Sequence, residues 1–331
     1  MSLFISNFRR ELTVLCAMGA LVLVCEVGLR LVAHRLSADV AHIGDIPRIA
    51  RSMRSGTRPR ILFFGNSLTR QGVDLSAIRE VLQAGSSLEP VTPAKVYIDD
   101  TAVLDWYYAL KHYFSGQDAP EYVVLGYVGN QLSDASTVHP DRIAGYFGGT
   151  QVAGELFAND LPDFGSRVDF ALSSALTLFS EKERIRTQIL SMVLPDYRKA
   201  AQRLNQAVSS SKNDSPVERY TRLGRLVRLC RERGIRLIIV AMPLPAVYPI
   251  DDQLVRTLGD DNIPLLDMRS VRGVSHDSFL DGFHLNPQGA HAYTRSLATR
   301  LRAMLSSDAQ SRRQPSGMIG SAIHERASHR D

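Results

Sequence analysis

Two hydrophobic patterns alternate along most of the chain, and together they predict an α/β fold. Short, nearly continuous apolar runs are typical of strands that are buried on both faces of a sheet. These runs lie at residues 60–65, 94–99, 121–127, 236–242 and 263–268. Between them, apolar residues recur three or four positions apart, as in amphipathic helices. The alternation predicts a central parallel sheet of about five strands, covered by helices on both faces.

Helix boundaries are clearest in the C-terminal half. Residues 215–218 (SPVE) combine a capping serine, a proline at the first helical position and a glutamate that completes a capping box. Gly234 predicts the end of that helix. Asn286 followed by Pro287 predicts the start of the last helix, whose apolar face contains Tyr293.

The N-terminal segment has a different character. Residues 12–29 contain a single charged residue, Glu26. As a helix they would extend about 27 Å, close to the hydrocarbon thickness of a bilayer. We therefore predict a membrane anchor over residues 1–36. A removable signal peptide and a buried helix in which Glu26 pairs with Arg30 are the alternatives.

Composition shifts divide the rest of the chain. Residues 37–59 are rich in Ser, Gly, Pro and Arg and are predicted to be a linker. The α/β domain is expected to cover residues 60–305. Within it, residues 140–212 interrupt the strand and helix alternation with mostly helical sequence, which predicts an insertion that shapes a cleft. The polar tail, residues 306–331, is expected to be disordered.

Charge and cysteine content narrow the function classes. The 331 residues are 44% hydrophobic with a formal net charge of +5, and the arginines are scattered rather than grouped beside aromatic residues. This distribution argues against nucleic-acid binding. Cys16 and Cys25 lie in the apolar N-terminal segment and Cys230 stands alone, so an intramolecular disulfide framework is excluded.

Polar side chains gather where the predicted strands end. Ligands of an open parallel sheet bind beyond the carboxyl ends of its strands. Ser67, Asp99, Asp100 and Asn130 each follow one of the first three strands, and Asp281 and His284 lie in the loop before the final helix. Four distant segments are therefore expected to meet at one edge of the sheet.

These residues supply the parts needed for acyl transfer. The Ser67 hydroxyl needs a base to become a nucleophile, and His284 fits that role. Asp281, three residues earlier, would orient the imidazole and stabilise its charged form. The Ser67 backbone N–H and the Asn130 side-chain amide would donate to the oxyanion.

Three sequence blocks resemble one known family. Residues 65–68 (GNSL) are similar to the first block of the SGNH (GDSL-like) hydrolases, and residues 281–284 (DGFH) to their closing D-x-x-H block. Gly129 and Asn130 resemble the third block, whose asparagine completes the oxyanion hole. The resemblance covers about residues 60–304 and implies a flavodoxin-like three-layer fold. It extends to membrane-anchored relatives, the envelope polysaccharide O-acetyltransferases and D-alanine transfer proteins.

The chain departs from that pattern in two places. The first block usually has Asp before its serine, and Asn66 stands here. The second block normally offers a glycine N–H to the oxyanion hole, whereas this chain has Asp99 or Asp100, so we assign the third donor to the Asp100 backbone. Asn66, Asp99 and Trp106 are the predicted substrate contacts. Residues 105–108, which include Trp106, would alternatively pack in the core.

The leading hypothesis is a serine esterase or O-acyltransferase that acts on acyl esters of an envelope or extracellular glycan. It would be single-pass in the inner membrane, with its main domain in the periplasm, although arginines on both sides of the apolar segment leave the orientation undecided. The alternative is a non-catalytic SGNH-like binding or assembly module for polysaccharide biogenesis, with envelope assembly partners. The Asp99 and Asp100 substitutions favour that alternative.

Cofactor chemistry finds little support in the sequence. No phosphate loop or dinucleotide fingerprint is present, so we expect no cofactor. Asp99, Asp100, Asp281 and His284 would form an oxygen-rich metal site only as a minor alternative, because no further ligand lies nearby at helical spacing, and we predict no metal. His139 is expected to lie at the surface.

Overall fold

The structure is a computed structural model that describes residues 2–32, 37–84, 90–193 and 219–313. Its centre is a parallel sheet with the strand order β2-β1-β3-β4-β5. The strands are β1 (Arg60–Gly65), β2 (Thr92–Tyr97), β3 (Tyr122–Tyr127), β4 (Arg236–Ala241) and β5 (Leu265–Asp267). This order is that of flavodoxin-like folds, which confirms the predicted fold class.

Helices cover both faces of the sheet, and the first of them, at the N-terminus, extends away from it. They are α1 (Ser2–Val32), α2 (Ala38–Ser55), α3 (Ser67–Gly72), α4 (Leu75–Gln83), α5 (Val103–Tyr113), α6 (Pro140–Tyr146), α7 (Ala153–Asn159), α8 (Phe164–Ala175), α9 (Thr177–Ser180), α10 (Lys182–Val193), α11 (Thr221–Glu232), α12 (Asp252–Asp260) and α13 (Pro287–Arg313).

Two hydrophobic layers flank the sheet because side chains alternate along each strand. In β1, Ile61 and Phe63 join the layer formed with α3, α4 and α13. Leu62 and Phe64 join the opposite layer, formed with α2, α5 and α11. Every residue of β1 is buried, which explains its continuous apolar sequence.

The segment predicted as a linker is folded. Residues 38–55 form α2, capped by the Ser37 hydroxyl, which accepts from the Val40 N–H at 3.2 Å. Its buried side chains, among them Ile43, Ile46 and Met53, pack against the sheet. Gly and Pro within the segment suggested a linker, but the apolar spacing along α2 is helical and buries one face.

The inserted region is helical as far as it is described. Helices α6 to α10 occupy it up to Val193, and its remainder, residues 194–212, lies outside the described residues, as does the predicted cap at 215–218. The final helix begins at Pro287 as predicted, with the Asn286 side chain accepting from the Gly289 N–H at 2.8 Å. It continues to Arg313, so residues 306–313 are helical and not part of a disordered tail.

The N-terminal helix extends away from the core. Within Arg10–Val32, an 18-residue window has a mean hydropathy of 2.3, and only 6% of that window is buried. The segment is long and apolar enough to span a membrane, a property that a signal sequence shares. Glu26 and Arg30 pair at 2.6 Å, as in the buried-helix alternative, but the helix around them is exposed.

Candidate active site

The serine stands on the sharp turn between β1 and α3. Asn66 caps α3 by accepting from the Leu68 N–H at 3.1 Å, and Ser67 is the first helical residue. A Cβ on Gly65 would lie 2.2 Å from the Thr69 hydroxyl, so only glycine permits this close approach. The turn therefore presents the Ser67 hydroxyl at the carboxyl end of a central strand.

Three side chains form a hydrogen-bonded chain at this edge. The Ser67 Oγ lies 2.9 Å from Nε2 of His284. The other ring nitrogen, Nδ1, lies 2.7 Å from Oδ2 of Asp281. The second carboxylate oxygen of Asp281 accepts from the backbone N–H groups of Phe283 and His284, at 3.0 and 2.8 Å. The carboxylate is thus held by the loop it belongs to, and it holds the imidazole in turn.

The environment of Asp281 favours its charged form. Partial burial opposes ionisation, but the hydrogen bonds from His284 and from the loop backbone outweigh it and lower the pKa of Asp281. The His284 side chain is 12% exposed and that of Asp281 is 36% exposed. A carboxylate in this position stabilises positive charge on the ring when the imidazole accepts a proton.

The loop that carries the pair is closed upon itself. The Leu280 N–H donates to the His284 carbonyl at 2.8 Å, and the Asn286 N–H donates to the Ser278 carbonyl at 2.7 Å. Phe279 and Leu285 pair as an isolated antiparallel bridge. These bonds connect the loop to the first turn of α13, so the position of the imidazole depends on packing of that helix.

The second half of the edge contains the loop after β2. Asp100 adopts a left-handed backbone conformation, with φ of 56°, which Asp tolerates better than most non-glycine residues. Its side chain is 83% exposed and lies 3.4 Å from the Arg142 guanidinium. Arg142 also donates to the backbone carbonyls of Asp99 and Asp100, the latter at 2.7 Å. The Asp100 carboxylate is therefore solvated and paired.

Asn130 lies on the same edge, after β3. Gly129 has a φ of 54°, and the Asn130 carbonyl accepts from the Ser133 N–H at 2.9 Å, which forms a tight turn. Because β3 is the direct neighbour of β1, this turn follows the strand beside Ser67. Asn130 is exposed, and its side-chain amide has no hydrogen-bond partner within the described ranges.

Asp99 belongs to a partly buried charge network. Its carboxylate lies 3.0 Å from Arg70, and its backbone N–H donates to Asp39 at 2.8 Å. Asp39, which is 5% exposed, pairs in turn with Arg184 at 2.7 Å. Burial raises the pKa of Asp99, and the charge of Asp39 adds to this effect. These contacts assign Asp99 a role in holding the loop together.

Two predicted substrate contacts are turned inward. Trp106 is fully buried, and its indole N–H donates to the Thr101 hydroxyl at 2.9 Å. Asn66 is 3% exposed, and its amide donates to the Thr101 carbonyl at 3.4 Å. Large aromatic side chains beside a strand contribute most when they are buried, which explains the position of Trp106. We therefore reassign both side chains to the support of the edge.

Several supporting residues escaped the sequence analysis. Arg142 lies in the insertion and Asp39 in the predicted linker, and neither belongs to a motif. His139 was expected at the surface, yet its side chain is 15% exposed and its Nδ1 lies 3.0 Å from Asp105. The sequence carries one local signal for this position. Pro140 follows His139 and is the first residue of α6, so His139 lies at the start of a helix.

Comparisons with known proteins give matches among solved structures alone. No family model matches the chain, and no curated protein matches it. It is similar to an acetylxylan esterase from Geobacillus stearothermophilus, with 13% identity and a TM-score of 0.39 over 74% of this chain and 94% of that one. It is also similar to a GDSL-like lipase from Bacteroides thetaiotaomicron, with 10% identity and a TM-score of 0.38 over 80% of this chain and 99% of that one. Similarity at this level assigns neither an activity nor a substrate to the chain.

The acidic residues and the histidine at this edge are paired with other side chains. Within residues 2–32, 37–84, 90–193 and 219–313, no group of three or more His, Cys, Asp or Glu side chains could hold a metal ion. Asp281 and His284 are bonded to each other, and Asp99 and Asp100 are bonded to arginines. Each of these groups therefore already has a partner of opposite or complementary character.

Proposed function

We propose that this chain is a membrane-anchored SGNH-type serine esterase or O-acyltransferase, which acts on acyl esters of an envelope or extracellular glycan through an acyl-enzyme on Ser67. The observation that carries the proposal is the chain of 2.9 and 2.7 Å contacts that joins Ser67 to His284 and His284 to Asp281. Contacts of this length meet the geometric requirement for a nucleophile, its base and its orienting group.

The first half-reaction follows from these contacts. The Ser67 Oγ attacks the ester carbonyl while Nε2 of His284 accepts the hydroxyl proton. The resulting tetrahedral oxyanion is stabilised by N–H donors, and its collapse breaks the ester bond. The leaving alkoxide takes the proton from His284, so the products are the free alcohol and an acyl group on Ser67.

The oxyanion donors proposed are the backbone N–H groups of Ser67 and Asp100 and the side-chain amide of Asn130. The free amide of Asn130 and the left-handed conformation of Asp100 are compatible with these roles. Pairing of the Asp100 carboxylate with Arg142 reduces its repulsion of a developing oxyanion.

The second half-reaction distinguishes an esterase from a transferase. In the esterase, His284 removes a proton from water, which attacks the acyl-enzyme and releases the carboxylic acid. In the transferase, a glycan hydroxyl takes the place of water and becomes acylated. A transferase must exclude water after the acyl group is loaded. Helix α6, whose Arg142 donates to the Asp99 carbonyl, and α8, which packs against α6, are the proposed wall of such a cleft.

Membrane attachment is the second part of the proposal. The Glu26 carboxylate on α1 accepts from the Thr177 and Leu178 N–H groups at 2.8 and 3.0 Å. A removable signal peptide has no reason to form such contacts with the folded domain, so they favour a retained anchor. We infer that the domain lies in the periplasm. Protease treatment of spheroplasts tests this orientation, and protection of the domain would contradict it.

Labelling with a fluorophosphonate tests the catalytic proposal directly. The reagent modifies serines that are activated by a base, so we expect an adduct on the folded full-length chain and none on Ser67→Ala. Ser52→Ala is the matched control, because Ser52 is an exposed helical serine on α2. Absence of the adduct on the folded parent would instead favour the non-catalytic binding or assembly module, which the Asp99 and Asp100 substitutions support.

A further inference from the structure

An apolar groove lies outside the candidate active site, between α9 and α10, and has a volume of about 440 Å³. Its apolar lining consists of Leu178, Phe179, Ile185, Ile189 and Leu190. Ile189 is 55% exposed, and Met192, farther along α10, is 72% exposed. Ile185, Ile189 and Met192 are spaced by four and three residues, so they share one helical face. Exposed apolar residues grouped in this way mark an interaction surface.

This groove is continuous with the attachment of the apolar helix. Leu178, one of its lining residues, donates its N–H to Glu26 of α1 at 3.0 Å, and Thr177 does the same at 2.8 Å. Arg30 pairs with Glu26 at 2.6 Å and donates to the Ala175 carbonyl at 3.2 Å. The junction of α8 and α9 is therefore bonded to α1 at two successive helical turns of α1.

The depth of this attachment places the groove at the membrane boundary. Glu26 precedes Val32, the end of the apolar helix, by six residues, which is about 9 Å along the helix axis. An unpartnered carboxylate at that level of a membrane-spanning helix would be strongly unfavourable. The N–H groups of α9 and the Arg30 guanidinium partner it, so α9 must reach the level at which α1 enters the bilayer.

We propose that the groove between α9 and α10, with the exposed end of α10, rests in the interfacial layer of the bilayer that α1 enters, so that lipid acyl chains occupy it. The inference depends on the membrane anchor of the proposed function and is independent of the chemistry at Ser67. It makes the inserted helices a second membrane contact, which fixes the domain's tilt relative to the membrane.

The rim of the groove indicates what kind of lipid it needs. Lys182 pairs with Asp169, and Arg186 pairs with Glu183 at 2.6 Å. Because each cation has a carboxylate partner, the rim offers no excess positive charge to anionic headgroups. Burial of apolar surface is then the driving force, and neutral phosphatidylcholine should suffice.

Quenching by brominated lipid tests the proposal on the full-length chain in phosphatidylcholine nanodiscs. The chain has a single tryptophan, Trp106, which is fully buried and serves as an internal reference. In Ile189→Trp, we expect brominated acyl chains to remove most of the fluorescence that the new indole adds. Val255→Trp, at a 49% exposed position on α12, is the matched control and should lose none. Met192→Trp repeats the test at a second position should the first variant fail to fold.

The outcomes separate this inference from the proposed function. A chain that resists alkaline carbonate extraction but shows no quenching at positions 189 and 192 overturns the docking and leaves the anchor intact. Blue-shifted emission without quenching would mean that protein covers the groove, either a second copy or residues 194–218, and would also overturn it. Release by carbonate overturns the anchor and the docking together, whereas fluorophosphonate labelling of Ser67 reports on the catalytic proposal alone.

Discussion

The two halves of the candidate active site are built differently. In the half that contains Ser67, His284 and Asp281, the side chains bond directly to one another. In the half that contains Asp100 and Asn130, Arg142 of α6 holds the Asp100 backbone and the Ser133 N–H closes the turn at Asn130, and no described bond links either residue to the serine. The first half is self-contained, and the second depends on the inserted helices.

This difference between the two halves indicates which positions of the site tolerate substitution. A nucleophile and its base need their specific side chains, so their motif is recognisable in sequence. A backbone N–H donor needs only a conformation, which different residues can adopt if neighbouring contacts stabilise it. Asp100 illustrates this, since its left-handed backbone is combined with an arginine clamp.

The largest effect is expected from His284→Ala. Without its base, the Ser67 hydroxyl is a weak nucleophile, and hydrolysis of p-nitrophenyl acetate should fall by about a thousandfold or more. The rate constant kcat is the quantity to measure. His276→Ala is the control, because His276 is exposed on the same loop. A variant at position 284 that keeps most of its rate would remove the basis for the catalytic proposal.

Asp281→Asn should have the next largest effect, a loss in kcat of about a hundredfold to ten thousandfold, because an amide would favour the wrong imidazole tautomer. Asp277→Asn, at an exposed position in the same loop, should retain activity. The lowered pKa of Asp281 means that its stabilising contribution is present above the unfolded pKa, near 4, and is lost as the pH falls through the lower folded value. Unchanged kinetics in Asp281→Asn would contradict the role.

Asn130→Ala tests the oxyanion half directly. Loss of one oxyanion donor typically lowers kcat by about a hundredfold or more, with little change in KM. Asn159→Ala is the control, because that exposed asparagine only caps its own helix. If Asn130→Ala raises KM and leaves kcat unchanged, Asn130 binds substrate and does not stabilise the transition state.

Arg142 is expected to matter less, because it acts through the loop and not on the substrate. Arg142→Ala removes the donors to the Asp99 and Asp100 carbonyls, and we expect kcat to fall by about tenfold as the loop loses its geometry. Arg142→Lys, which keeps the charge but loses the planar fork, should recover part of the rate. Full activity of Arg142→Ala would show that the second half is also self-contained.

The smallest expected effect is a pH-dependent contribution of His139 to the free energy of unfolding. Burial opposes protonation of this ring, but Asp105 outweighs it and raises the pKa of His139, with Asp100 adding to and Arg142 opposing the effect. Its stabilising contribution is therefore full below about pH 6.5, the unfolded value, and is lost as the pH rises through the folded value.

The corresponding experiment compares urea unfolding of the parent and His139→Gln at pH 6 and pH 8.5. The parent should have a higher free energy of unfolding than His139→Gln. This advantage should be larger at pH 6 than at pH 8.5, by an amount on the order of 1 kcal/mol. Equal differences at both pH values would show that the pair with Asp105 is not ionic. The matched exposed variant, His276→Gln, should show no dependence of this kind.

The predicted sheet agrees closely with the structure because its strands are buried on both faces, and burial leaves a continuous apolar signature. The run at residues 60–65 coincides with β1. The linker prediction failed for α2 because Gly44 and Pro47 lie inside a continuous helix whose stability comes from packing against the sheet. Local propensity favoured a loop, and tertiary contacts outweighed it.

The amino-acid sequence by itself determined the strands, the apolar N-terminal helix and the serine, aspartate and histidine motifs, since each depends on neighbouring residues within a few positions. Only the tertiary structure decided which charges support the site. Asp39, Arg70, Arg142 and Arg184 come from four helices, and Glu26 meets α9 about 150 positions away, with the bond to Thr177 at a separation of 151 residues. Such pairings leave no periodic trace, because an ion pair requires proximity in space and imposes no spacing along the chain.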